Sequence, residues 1–507
     1  MRFNLFKTKQ KPLVVNKEGA KAYVLTPEME LYSAVVTAGL SDGFYEGANT
    51  RLVRIRELMD KNDPDFIARL AVYTRKDMYL RSIPLVLAVE MAKKSSGNGL
   101  VGTTVKNVVQ RADEITELLA YYQAANPRVG VKKLGKLSKQ VQKGLGEAFN
   151  RFDEYQFAKY NREAAVTLRD ALFLVHPKAK DENQQAIFDK IAAKTLAVPY
   201  TWETELSALG QVKYVDDKAR KAAFTAKWEE LIDSDKLGYM ALLRNLRNII
   251  EAEVSDTHMR KVCNRLRDPI EVGKSKQLPF RFLAAYREVM LLKSFYVTMV
   301  MNALEDAVSA SVVNMAGFDE EARVLIACDV SGSMQKPVSP KSKVLLYDIG
   351  LMLGMLLQSK CNKVITGMFG EKWKVVNMPS RNVLGNVQEF YRREGEVGYA
   401  TNGYKVVDDL IRHNMVMDKV LLFTDCQLWD SKNNNSHLET SWNEYKLLAP
   451  NAKLYLFDLA GLGTTPISIQ KNDVYLVAGW SDKVFDVLNA IEDGHSAVEM
   501  IKQIILN

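Results

Sequence analysis

Residues 323–334 read Arg323-Val324-Leu325-Ile326-Ala327-Cys328-Asp329-Val330-Ser331-Gly332-Ser333-Met334. The apolar run Val324–Cys328 is short and rich in branched side chains, which suits a buried strand. It stops on Asp329, with Ser331 and Ser333 at alternate positions, and a long apolar helix pattern begins near Lys343. A carboxylate and two hydroxyls are therefore expected at the C-terminal end of a strand, where open α/β sheets place ligands. Hard oxygen donors of this kind suit Mg²⁺ or Mn²⁺.

Downstream, the same grammar repeats. Strands are expected at 323–328, 363–369, 418–424, 453–458 and 473–478, with helices at 343–359, 403–413, 440–448 and after 482. Continuous apolar strands alternating with helices predict a parallel, doubly wound α/β sheet. Val420-Leu421-Leu422-Phe423-Thr424 is a buried strand ending on Asp425, at the same sheet edge as Asp329. The loop Gly398-Tyr399-Ala400-Thr401-Asn402-Gly403 offers the Thr401 hydroxyl. Asp329, Ser331, Ser333, Thr401 and Asp425 make a metal-ligand set that leaves positions for water and for a ligand carboxylate. Helix capping alone would explain the two serines but does not call for Asp329 or Asp425. No His or Glu stands near these residues in sequence as a general base. His413 and His437 read as surface residues, and nothing around Lys336 suggests the burial that would depress its pKa. A binding site is the better reading than a catalytic one.

Upstream, from Pro27 to Ser309, the pattern is almost wholly helical, with apolar residues at i, i+3, i+4 and i+7. Asp63-Pro64 is a helix start, an N-cap followed by proline at the first helical position. Helix pairs of about 30–45 residues recur with no strand between them, which favours a stacked array over a compact bundle. Residues 1–26 read as an arm that packs on something else. The division is a helical domain over 1–316 and an α/β domain over 317–507.

At 507 residues, 47% hydrophobic and 26% charged, the chain has the composition of an ordinary globular protein of two or more domains. Cys263, Cys328, Cys361 and Cys426 have no paired spacing and read as reduced core thiols of a cytoplasmic protein. The N-terminus lacks the apolar core of a secretory signal, and the Val344–Leu357 run is too short to span a bilayer. Residues 321–507 hold 20 Lys/Arg against 21 Asp/Glu, while residues 1–320 hold 49 against 40. The positive field of the +8 chain thus belongs to its helical part, the candidate for an anionic partner.

Asp329-x-Ser331-x-Ser333, Thr401 and Asp425 together resemble the von Willebrand factor A fold and its metal-ion-dependent adhesion site. That resemblance implies that the first four hold the ion directly or through water, and Asp425 mainly through water. In the helical part, Asp63-Pro64-Asp65-Phe66-Ile67-Ala68-Arg69-Leu70-Ala71-Val72-Tyr73-Thr74-Arg75 and Arg81–Lys93 resemble the early repeats of the Ro autoantigen family, the TROVE module. Lys159-Tyr160-Asn161-Arg162, Leu168-Arg169-Asp170-Ala171-Leu172 and His176-Pro177-Lys178 are similar to a later turn and helix end of that family. The resemblance covers nearly the whole chain. It departs at Glu163, where a basic residue occurs in the family, and at Cys426-Gln427, where an acidic residue is common.

The resemblance implies a ring of HEAT-like helical pairs with the A-type domain attached, a monomer that is not an enzyme. It implies small structured, Y-like noncoding RNA on a basic outer surface and single-stranded 3′ ends of misfolded RNA in the central hole. Polynucleotide phosphorylase or another exonuclease would be a partner through the RNA. Lys159, Arg162, Arg169 and His176 suit phosphates, and Tyr160 suits a base. Arg128, Lys132, Lys133, Lys136, Lys139 and Lys143 form a basic run, with 132, 136, 139 and 143 on one helical face. A second hypothesis is a metal-dependent adaptor that captures an acidic protein ligand and uses the helices as scaffold. A third, a metal-dependent nuclease, lacks a convincing base or second metal-ligand set.

Overall fold

The computed structural model describes residues 13–38, 46–94, 99–126, 137–312, 318–319, 321–338, 342–429, 437–469 and 471–506. Two compact units divide the chain. One comprises Met1–Lys61, Leu278–Leu283 and Val312–Met500, and the other Asn62–Gln277, Ala284–Ser311 and Ile501–Asn507. Among the described residues no helix is long and apolar enough to cross a membrane.

The first unit contains β1 (Leu13–Val15), β2 (Lys21–Val24), β3 (Arg323–Asp329), β4 (Lys363–Phe369), β5 (Trp373–Val375), β6 (Lys419–Thr424), β7 (Lys453–Asp458), β8 (Thr464–Thr465) and β9 (Val474–Ala478). Its main sheet runs β5-β4-β3-β6-β7-β9, with every pairing parallel except the antiparallel edge strand β5. All five expected strands are present, and helices follow them as the apolar pattern required. The helix Leu346–Gln358 packs on β3 and β6 and is buried from Tyr347 onward. Gly354 permits this approach, since a Cβ there would lie 3.2 Å from both Cys328 Sγ and Ile326 Cγ2. Strand β5 and the helix Val383–Arg393 are additions to the expected elements.

The division differs from the sequence reading at the N-terminus. The described residues up to Lys61 belong with the α/β unit, not with the helices. The hairpin β1–β2 joins β8 in a second sheet. The next helix, Pro27–Val36, donates from Tyr32 Oη to the Ala478 carbonyl (3.0 Å) and from Ser33 Oγ to Asp458 Oδ2 (2.5 Å). Arg51 and Arg54, held by Glu46, reach the carbonyls of Ala460 and Gly461. These bonds satisfy polar groups at the sheet's C-terminal edge that would otherwise be buried without partners. The expected boundary at 316/317 lies outside the described residues.

The second unit is helical. Pro64–Lys76 packs on Ser82–Lys94 and Leu100–Val108; Leu100–Val108 packs on Lys139–Phe149; Ala112–Ala125 meets Glu154–Tyr160 and Leu168–Val175. Contacts fall mainly between helices adjacent or next-but-one in sequence, the pattern of a stacked array. Asp63 caps its helix as expected, accepting from the Asp65 N–H (2.7 Å) with Pro64 in the first turn. The helical stretch over 100–125 forms two helices, Leu100–Val108 and Ala112–Ala125. Glu114, paired with buried Arg75, accepts the N–H groups of Gln110 and Arg111 and starts a new helix at Ala112. A later helix begins at Leu168, where Thr167 and Asp170 form a reciprocal capping box.

Candidate functional site

The register of the main sheet brings the expected oxygen donors to one edge. Cys328 pairs with Phe423 and Thr424 with Asp458, so Asp329, Asp425 and Asp458 end neighbouring strands. Asp329 accepts from the Ser331 N–H (2.9 Å) and from Thr424 Oγ1 (2.6 Å). Ser331 Oγ and Ser333 Oγ lie 3.3 Å apart at a short 3₁₀ turn, Gly332–Gln335. Asp425 is bonded by the Ser333 hydroxyl and, at 2.9 Å, by the Gln427 N–H. The loop carrying Thr401 is fixed to the serine turn, with the Gly332 N–H donating to the Tyr399 carbonyl at 3.1 Å. Thr401 Oγ1 accepts from the Trp429 N–H (2.7 Å). All five side chains are buried.

Burial pushes the carboxyls of Asp329 and Asp425 up from their ordinary range, and for Asp425 the charge of Asp329 adds to the rise. The opposing influences come from hydroxyls and backbone N–H groups, and no cationic side chain is among them. Asp458 differs, since it is held by Ser33 Oγ, the Ala460 and Gly461 N–H groups and the charge of Arg51. Two desolvated carboxylates that repel each other require a proton or a cation. With hydroxyls as the remaining donors, the set fits a small hard divalent ion. Among the described residues no cluster of three or more His, Cys, Asp or Glu side chains offers a softer alternative. All four cysteines are buried and free. Thr424, Gln427 and Trp429 support this arrangement of donors; Thr424 and Trp429 were not singled out from sequence, and Gln427 was read only as a departure from the family pattern.

In the helical unit, Lys159 is exposed at the end of Glu154–Tyr160, its Nζ 5.7 Å from the Tyr155 ring and 5.8 Å from the Tyr160 ring. Tyr160 is half-buried with the Arg111 guanidinium 4.4 Å from its ring centroid, so a cation already occupies one face. Arg162 is exposed in the following turn. Arg169 is exposed, donates through Nε to the Ala192 carbonyl (2.8 Å) and lies 5.4 Å from the Phe173 ring. His176 closes the helix Leu168–Val175 in a left-handed conformation (φ +49°), its N–H donating to the Leu172 carbonyl and its side chain exposed. Residues 169 and 173 share one helical face, and Phe173 is 51% exposed on it; His176 ends the helix three positions on. Phe173 and Tyr155, 42% exposed, were not singled out from sequence. Phe173 lies off the apolar stripe of Leu168, Ala171, Leu172 and Val175, which was the legible signal. Lys139 begins its helix and is exposed; Arg128, Lys132, Lys133 and Lys136 lie outside the described residues.

The TROVE domain family model matches residues 28–223 and 193–306, more than half of the chain. The chain belongs to the TROVE domain family. Members of this family are generally RNA-binding components of ribonucleoproteins. The TROVE chain is similar to telomerase protein component 1 of Mus musculus, 24% identical over 310 residues that cover 46% of this chain and 11% of that protein. It is similar also to telomerase protein component 1 of Rattus norvegicus, 25% identical over 302 residues, covering 44% and 11%. The match thus spans about a tenth of the length of these curated relatives. Among solved structures it resembles the Deinococcus radiodurans RO (RSR) protein, with a TM-score of 0.58 and 18% identity over 92% of this chain and 100% of that one. That likeness concerns the fold: a helical-repeat region followed by a mixed α/β domain.

Proposed function

We propose that this TROVE protein is an RNA-binding scaffold that engages small structured, Y-like RNA through the surface around Glu154–His176. The observation that carries the reading is the exposed set Arg169, Phe173 and His176, with Lys159 and Tyr155 on the preceding helix. Bases present π-faces that stack on Phe173 and Tyr155, while Lys159, Arg162 and Arg169 meet phosphates. A surface mixing exposed aromatic rings with cations suits unpaired nucleotides in loops and bulges better than an A-form duplex, whose bases are stacked inside. The same reading includes single-stranded 3′ ends of misfolded RNA in the hole of a helical ring, and delivery of RNA to an exonuclease.

The α/β unit supplies the second half of the proposal. Asp329, Ser331, Ser333, Thr401 and Asp425 would hold Mg²⁺ or Mn²⁺, and an open position would take a carboxylate from an acidic protein partner. Both halves are binding functions. Crosslinking and sequencing of RNA copurified with the wild-type chain and with Lys159→Ala/His176→Ala tests the RNA half. Enrichment of one small structured RNA, lost in the double variant, is expected; recovery of nothing above background overturns it.

A further inference from the structure

We propose that the N-terminal hairpin is a positioning part of the metal centre, acting through Asn16 on the loop Asp425–Trp429. The inference rests on the metal reading above. That loop touches two of the five proposed ligands. Its Gln427 N–H donates to Asp425 Oδ1 (2.9 Å), and its Trp429 N–H donates to Thr401 Oγ1 (2.7 Å). The hairpin grips the same loop from its other side. Asn16 Nδ2 donates to the Leu428 carbonyl (2.9 Å), and the Lys17 N–H donates to Gln427 Oε1 (2.9 Å). Gln427 Nε2 in turn donates to Thr464 Oγ1 of β8 (3.2 Å), the strand that pairs with β2.

Asn16 is built for this task. It is buried, and its Oδ1 accepts the N–H groups of Glu18 (3.0 Å) and Ala20 (2.9 Å), which closes the hairpin turn and aims Nδ2 outward at Leu428. Ala20 and Lys21 also line, with Thr401, Leu428 and Trp429, a cavity of about 20 Å³, room for one water. The gripped loop is strained. Cys426, beside Asp425, is buried at φ +59°, a conformation that L residues with a Cβ adopt only when their surroundings over-determine it. The hairpin is one of those surroundings. Released from it, the loop gains freedom to relax, and Asp425 and Thr401 would move together.

Coupling of this kind is reciprocal, so an ion at the centre must tighten the hairpin as much as the hairpin tightens the ion. The experiment uses the full chain and Mn²⁺ as the probe. Mn²⁺ affinity is measured by calorimetry for wild type, Asn16→Ala, Gln427→Met and Asp329→Ala, and amide exchange of Lys17 and Ala20 is followed in wild type with and without Mn²⁺. Each clamp variant is expected to weaken Mn²⁺ roughly three- to tenfold, the effect of losing one or two buried hydrogen bonds. Mn²⁺ is expected to slow exchange at Lys17 and Ala20 in wild type and to leave it unchanged in Asp329→Ala. A purely structural clamp would lower the melting temperature without moving Mn²⁺ affinity or Mn²⁺-dependent exchange, and that result overturns the inference while the metal centre stands. Wild type that binds no Mn²⁺ overturns both. Should a clamp variant fail to fold, the wild-type exchange comparison decides alone.

Discussion

The burial of Asp329 and Asp425 is expected to make the metal-free protein sensitive to pH in an unusual direction. Their folded-state carboxyls sit above the ordinary range because they are desolvated and, at Asp425, repelled by a neighbour. The folded chain therefore holds those protons more tightly than the unfolded chain. The stability this contributes is full below the unfolded carboxyl pKa and is lost as pH rises through the folded values. Melting temperatures in EDTA are expected to fall from about pH 5 to about pH 8, and Mn²⁺ is expected to reverse the trend because the ion takes the deprotonated pair. Asp425→Asn is expected to raise the EDTA melting temperature by a few degrees, on the order of 1 kcal/mol. It should also abolish the Mn²⁺-induced rise. An EDTA melting temperature that climbs over this pH range would contradict the assignment. Phe173 behaves differently. Its ring is half exposed, so Phe173→Ala should leave the melting temperature unchanged while weakening RNA by about 1–3 kcal/mol, the worth of one stacked base. Filter binding on a loop-containing RNA measures this.

Element by element, the sequence was most informative where apolar periodicity is long and uninterrupted. The strands 323–329, 363–369 and 419–424 and the helix Pro64–Lys76 were readable from local pattern alone. Asp329 and Asp425 were readable as well, because a polar residue that ends a buried strand is out of place unless it has a role. The hairpin β1–β2 was not. Strands of three and four residues carry almost no periodicity, and the loop that Asn16 and Lys17 grip lies more than 400 positions away. Phe173 escaped because an aromatic residue in a helix is first read as core. Close helix packing offers its own test. A Cβ at Gly144 would lie 2.6 Å from the Gly102 carbonyl oxygen and 2.7 Å from Val105 Cβ. Gly144→Ala is expected to destabilise the helical unit by about 1–3 kcal/mol through overpacking. An unchanged denaturation midpoint would show that Leu100–Val108 and Lys139–Phe149 can separate freely.

For the whole molecule, charge and function divide between parts of the chain. The basic excess lies within residues 1–320, while residues 321–507 are nearly neutral and carry the carboxylate–hydroxyl centre. RNA affinity should accordingly fall steeply with salt, and each lost phosphate contact, as in Arg169→Ala, should reduce the slope of log K against log salt by roughly 0.7–0.9. EDTA should leave RNA affinity intact, since the proposed donors for the ion and the proposed residues for RNA belong to different units. The most direct test of RNA recognition is ultraviolet crosslinking of bound RNA to the intact protein, with the crosslinked peptides located by mass spectrometry. Crosslinks concentrated on Tyr155–His176, at Tyr155, Tyr160 and Phe173, are the predicted result. Crosslinks confined to residues 321–507, or none within Tyr155–His176 while RNA is bound, would contradict it.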